Sequence, residues 1–233
     1  MNVSRILRHA QHKPLSLPGV KGYDYPMVTV SELEHRRSPG ELREFVDFVN
    51  KSVRADESER HRGILKRGLY KEFLDEIVPL SHFCELAYPE SYKIQWVHGN
   101  QGYDALVFNE AGQEVDRVEI TTPHDGSAKA QDAQRIVTRG HGKFDIGTPG
   151  DLFVPLLPHV LSVCRKKALK DYSDCTLVIA IKPLSPYQSF DSDYEKTLKT
   201  LVGEMAQIPL RAKRIFLLCS SDGLPDRLEH IHS

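Results

Sequence analysis

Cysteine is scarce in this chain. Its 233 residues hold four, Cys84, Cys164, Cys175 and Cys219, and no two form a C-x-x-C pair. That pattern argues against a zinc site or a disulfide frame. Cys84, Cys175 and Cys219 stand inside apolar runs, so the expectation is buried free thiols in a reducing cytosol. Long hydrophobic runs are missing too. Nothing approaches the ~18 apolar residues of a membrane span. The opening MNVSRILRHAQHKPLSLPG has no apolar stretch of the signal-peptide kind. A cytoplasmic protein with no membrane partner is expected. Neither sign of charge is in excess: 31 Lys and Arg face 32 Asp and Glu, for a net charge of −1. This is not the strongly basic balance of many nucleic-acid binders. Internal repeats and low-complexity linkers are absent. Gly140-His141-Gly142-Lys143 lacks the GxxxxGK[ST] spacing of a phosphate loop, and no GxSxG nucleophile elbow occurs.

What is present is an ordinary globular composition, 40% hydrophobic and 27% charged. The charge is locally segregated. Residues 54–71 carry Arg54, Arg60, His61, Arg62, Lys66, Arg67 and Lys71, and smaller clusters stand at Arg165-Lys166-Lys167 and Arg211-Ala212-Lys213-Arg214.

Residues 1–38 read as an irregular arm, with Val28-Thr29-Val30 as a short strand. Ser38-Pro39-Gly40-Glu41 is a capping box opening a helix. A second helix is expected from about 58 to 78, interrupted by Pro79 and continued as a bent segment over 80–87 that ends at Tyr88-Pro89. A strand follows at 92–97. Further helices are expected near 128–138, 148–169 and 192–205, with a mobile glycine-rich loop at 140–150. The apolar runs 175–181 and 214–219 read as buried strands. The tail 222–233 carries no signal, and a disordered end explains His230 and His232 better than a metal site. The division is an arm and helical extension (1–79), an α/β core (80–221) and a tail (222–233), with extension and core in one compact domain.

The most informative stretch is 102–122, GYDALVFNEAGQEVDRVEITT. It alternates apolar and polar residues around a glycine-containing turn, the signature of a β-hairpin. If residues 110–113 form the loop, Asn109 faces Glu114 and Asp104 faces Glu119. Opposed residues share a face, with Cβ atoms about 5 Å apart. Two carboxylates so placed repel, and a divalent cation between them turns the repulsion into binding.

The order is now a helix with Glu85, a strand, a strand with Asp104, a strand with Glu119-Ile120-Thr121, a helix and a buried strand. It resembles the PD-(D/E)xK nuclease superfamily, whose restriction-endonuclease-like core is an α-β-β-β-α-β unit on a mixed central sheet. The resemblance covers about residues 80–181. It implies that Asp104 and Glu119 bind Mg²⁺ or Mn²⁺, that the carbonyl of Ile120 adds an oxygen ligand, and that Glu85 is the extra acid of the first core helix. Thr121 stands where the family has its lysine and brings no charge. Lys129 on the next helix is the first substitute cation and Arg135 the second. Gln131, Gln134 and His124 are candidate contacts to substrate, water or metal.

The resemblance implies a hydrolase cutting phosphodiester bonds, with nucleic acid as partner, DNA ahead of RNA. A homodimer is left open. The alternative is a catalytically lapsed protein of the same fold that binds nucleic acid or protein. In the active reading, residues 54–71 and 140–150 border the acidic site.

Overall fold

The computed structural model describes residues 28–123, 126–141, 156–182, 192–220 and 225–231; for 126–129 and 192–193 it describes the backbone alone. The chain forms α1 (Val30–Leu33), α2 (Pro39–Ala55), α3 (Glu57–Ile64), α4 (Tyr70–Glu72), a π-helical turn (Phe73–Ile77) and α5 (Val78–Ala87). Strands β1 (Lys93–Trp96), β2 (Ala105–Phe108) and β3 (Glu114–Thr121) follow, then α6 (Gly126–Arg139) and α7 (Leu156–Lys167). The order closes with β4 (Asp171–Ile181), α8 (Ser192–Ala206), β5 (Arg211–Cys219) and β6 (Arg227–His230).

The strands make one open mixed sheet in sequence order, β1 to β6. β1, β2 and β3 form an antiparallel meander, β3, β4 and β5 run parallel, and β6 returns antiparallel to β5. A hydrophobic layer lies on each face. Leu42, Val46 and Val49 of α2 and Leu80, Phe83 and Cys84 of α5 pack with Ala105, Val107, Val118 and Ile120 on one face. Val160, Leu161 and Cys164 of α7 and Leu198, Leu201 and Met205 of α8 pack with Leu177, Ile179, Ile215 and Leu217 on the other. The apolar run in β4 feeds both layers, as a strand covered on both faces must. All four cysteines are buried and free.

Local chemistry explains most boundaries. Ser38 and Glu41 form the expected capping box, with Glu41 N–H donating to Ser38 Oγ at 3.2 Å and Ser38 N–H to Glu41 Oε2 at 2.7 Å. Residue 29 opens a helix where a strand is expected, because the Thr29 hydroxyl accepts from the Glu32 amide and caps α1. The helix expected over 58–78 is broken after Ile64: Lys66 and Gly68 take positive φ of 48° and 59°, which ends α3 and starts α4 in a new direction. The C-terminal segment, read as a featureless tail, contributes β6, whose His230 ring lies 5.0 Å from that of Phe216.

Pro79 does not end the helix. It has no N–H for the carbonyl four residues back, that of Asp75. The preceding turn widens into the π segment, with Val78 N–H donating to Phe73 O, and the Thr122 hydroxyl at the end of β3 donates to the Asp75 carbonyl at 2.9 Å. A helix defect thus becomes the contact that seats residues 75 and 76 against the end of the sheet.

On the α5 face of β3, Asp116 is buried, its side chain 2% exposed. It accepts from Tyr88 Oη at 2.6 Å, Thr176 Oγ1 at 2.8 Å and Lys213 Nζ at 3.1 Å, and from Arg214. Burial pushes its carboxyl up, but these donors outweigh it and hold it below the ordinary aspartate range. Asp116→Ala strands the partners and is expected to cost about 3 kcal/mol, the low end for breaking a buried pair, since Lys213 and Arg214 are half-exposed and can rehydrate. Urea unfolding measures this as a lower midpoint at constant slope. A loss under about 1 kcal/mol would mean that the network does not hold β3 to β5.

Candidate functional site

The site is set by the β2–β3 pairing. The loop between the strands is 109–113, not 110–113. Asn109 Oδ1 accepts from the amides of Ala111 at 3.0 Å and Gln113 at 2.9 Å, and Gly112 takes φ 74°. Phe108 therefore faces Glu114. That register would place Asp104 opposite Val118, on the face away from Glu119. A bulge restores the parity: Val107 faces Asp116, so Val115 is an extra residue on β3. Leu106 then faces Arg117 and Ala105 faces Val118. Asp104 N–H donates to Val118 O at 2.8 Å, and continuing the register sets Asp104 opposite Glu119. The longer loop and the bulge cancel, so the two acids share a face as the simple hairpin count expects.

Asp104 Oδ2 accepts from the Ile120 amide at 2.7 Å. Burial, then Glu119 and Glu76, push its carboxyl up to about 7, against the lowering pull of that amide and of Lys167. Glu119, 13% exposed at its side chain, is ion-paired with the amine of Lys167, which is 18% exposed. Burial works to lower the Lys167 amine, but the bond to Glu119 prevails and holds it above the ordinary lysine value. Lys167 ends α7, and its charge also lies 5.3 Å from the centre of the Tyr172 ring. Glu76 enters from the π segment. Trp96 Nε1 donates to its Oε2 at 3.0 Å, and burial raises its carboxyl. One turn earlier, Glu72 Oε2 is buried and accepts no hydrogen bond from the described residues.

The expected residues fall as follows. Asp104 and Glu119 come together. Ile120 meets Asp104 through its amide. Thr121 lies on the face of Glu119, half-buried and paired with Ile179. Glu85 is exposed on α5, and the charges that act most on Asp104 are those of Glu119, Glu76 and Lys167. The acid drawn in from the helical region is Glu76, three residues before Pro79. Gln131 and Gln134 are exposed on α6, and Arg135 Nε donates to the Gln131 carbonyl at 3.4 Å. His124 and the side chain of Lys129 lie outside the described residues, as do residues 142–150 of the expected loop. The basic segment 54–71 reaches the site at its end: Lys71 acts on Glu76, and Lys66 is ion-paired with Asp75.

Glu76 and Lys167 were not read as site residues from the sequence. Glu76 is hidden by the apolar stripe around it, and Lys167 by its place in a run of three cations. A usable signal exists for Glu76: Glu72 and Glu76 stand four apart on one helical face.

A cluster of this sign can hold a cation. Asp104 and Glu119 supply two facing carboxylates, Glu76 adds charge, and Lys167 neutralises only one of them. Among the described residues, no three His, Cys, Asp or Glu side chains gather closely enough to hold a metal ion alone.

Asp104 binds its proton more tightly folded than unfolded. Its contribution to stability is therefore full below about pH 4 and is lost as pH rises through about 7. Asp104→Asn keeps the acceptor for the Ile120 amide and removes the charge. Its melting temperature should exceed that of the wild type near pH 8, by about 2–4 °C per kcal/mol relieved, and match it near pH 4. Equal differences at both pH values would show that Asp104 is not held under electrostatic strain. Comparison of the chain with protein-family models, with curated proteins and with solved structures returns no match.

Proposed function

We propose that the chain is a metal-dependent nuclease of the PD-(D/E)xK type, with Asp104 and Glu119 holding Mg²⁺ or Mn²⁺ and nucleic acid, DNA ahead of RNA, as substrate. The observation that carries this reading is the amine of Lys167 on the carboxylate of Glu119, beside Asp104. A lysine charge is what this chemistry needs and what Thr121 cannot bring. Lys167 delivers it from a helix end instead of from the strand. The element order supports the reading: α5, the β1–β2–β3 meander, a helical crossover, and β4 parallel to β3 match the α-β-β-β-α-β order.

When bound, the metal polarises the phosphoryl oxygen and lowers the pKa of a bound water. The residues of the chain do the rest. Asp104, fixed by the Ile120 amide, and Glu119, fixed by Lys167, present oxygens from adjacent strands. Lys167 keeps its proton and offsets the negative charge that grows on the phosphate during attack. Glu76, anchored by Trp96, increases the pull on a cation and disfavours an empty site.

The test is Mg²⁺- or Mn²⁺-dependent cleavage of single-stranded, double-stranded and circular DNA and of RNA. Asp104→Asn, Glu119→Gln and Lys167→Met should each lower turnover by about 10²–10³-fold with the fold intact by circular dichroism. Lys129→Ala should leave the rate near that of the wild type. Full activity in Lys167→Met with loss in Lys129→Ala would move the cation back to α6. An inactive wild type that gains cleavage on Thr121→Lys would establish a lapsed site instead.

A further inference from the structure

The end of α7 has a property that the catalytic reading does not use. Residues 156–170 contain Arg165, Lys166, Lys167 and Lys170 and no carboxylate. Lys167 turns inward to Glu119, while Arg165, Lys166, Leu169 and Lys170 are exposed. The turn is tight: Ala168 N–H donates to Cys164 O at 2.9 Å, Leu169 N–H to Lys166 O at 3.3 Å, and Lys170 N–H to Lys167 O at 3.0 Å. The outward cations are therefore held within about one turn of the amine that touches the site. The acids that follow are engaged elsewhere. Asp171 accepts from the Ser173 amide at 3.0 Å, and Asp174 is paired with Arg117 at 2.6 Å.

Cations at a helix C-terminus complement its dipole, which accounts for residues 165–167 but not for their apolar neighbour. Leu169 is 82% exposed, against 65% for Phe48 and 47% for Leu86. Among the described residues, a leucine set among cations at the tip of this turn has no apolar surface to pack on. Nucleic acid offers what the pair of chemistries fits: phosphates for the cations, and sugar or base surface for the leucine.

We propose that residues 165–170 form the surface that seats the nucleic-acid backbone, with Arg165, Lys166 and Lys170 on phosphates and Leu169 on the sugar–base surface between them. The inference rests on the nuclease reading. It adds the route by which a polyanion approaches an acidic site: the chain is drawn to α7, and the scissile phosphate passes Lys167 on its way to Asp104 and Glu119.

The test is binding of a short fluorescein-labelled DNA, single-stranded and duplex, to the full chain in EDTA, so that cleavage cannot consume the probe. The triple variant R165A/K166A/K170A should bind about tenfold or more weakly, with the slope of log affinity against log salt shallower by about 2–3 on duplex. Leu169→Ala should weaken binding with the slope unchanged. In cleavage assays the triple variant should raise KM and spare kcat, because Lys167 is untouched. A wild type that binds and cuts DNA while the triple variant keeps its slope and KM would overturn this surface and leave the nuclease reading standing. A wild type that neither binds nor cuts any nucleic acid would overturn both. Loss of binding to phosphatidylserine vesicles in the triple variant, with DNA binding unchanged, would reassign the turn to a membrane surface.

Discussion

One extra residue in one strand decides where the acids of this sheet stand. Val115 bulges from β3, and the bulge decides which side chains of β3 meet which side chains of β2. A strand has a period of two, so a register change of one exchanges its faces. With the bulge, Asp116 enters the layer beneath α5, while Glu119 meets Asp104 on the opposite face. Without it, the same loop would send the two site acids to different faces. The exposed Val115 and the Asn109-built loop look incidental in isolation. Together they set the parity of everything downstream.

The β2–β3 hairpin therefore holds two acids in opposite electrostatic conditions. Asp116 receives Lys213, Arg214, Tyr88 and Thr176, and its carboxyl falls below the ordinary range. Asp104 receives one backbone amide amid Glu119 and Glu76, and its carboxyl rises. The first arrangement is complete and ties three strands together. The second is undercompensated, with Lys167 committed to Glu119 and Glu72 Oε2 accepting no hydrogen bond from the described residues. A fold that tolerates such a cluster gives up stability there as pH rises through the raised carboxyl of Asp104.

The helical region meets the sheet end through a similar economy. Pro79 frees the Asp75 carbonyl, the π turn absorbs the mismatch, and Thr122 closes the gap. π turns of this kind recur at functional sites because they re-aim one residue without ending the helix. Here the re-aimed region carries Glu76. Lys167 reaches Glu119 from the other layer, so the site draws on both faces of the sheet around its end.

Much of this was legible from local pattern. The capping box at Ser38, the apolar run of β4 and the hairpin follow from residue types and spacing, because they depend on neighbours a few positions away; the facing of Asp104 and Glu119 is met only because the longer loop and the bulge cancel. The sequence by itself also determined that Thr121 offers no charge. Which cation meets Glu119 was decided only by the tertiary structure. Lys167 is separated from Glu119 by 48 residues, and Glu76 from Asp104 by a helix, a proline and a strand. Their meeting depends on how α7 crosses back over the sheet and on where a π turn lets a helix dock. Charge on an exposed-looking helix carries no mark of its partner. Only packing, which draws one cation of three inward and leaves its neighbours in water, distinguishes them.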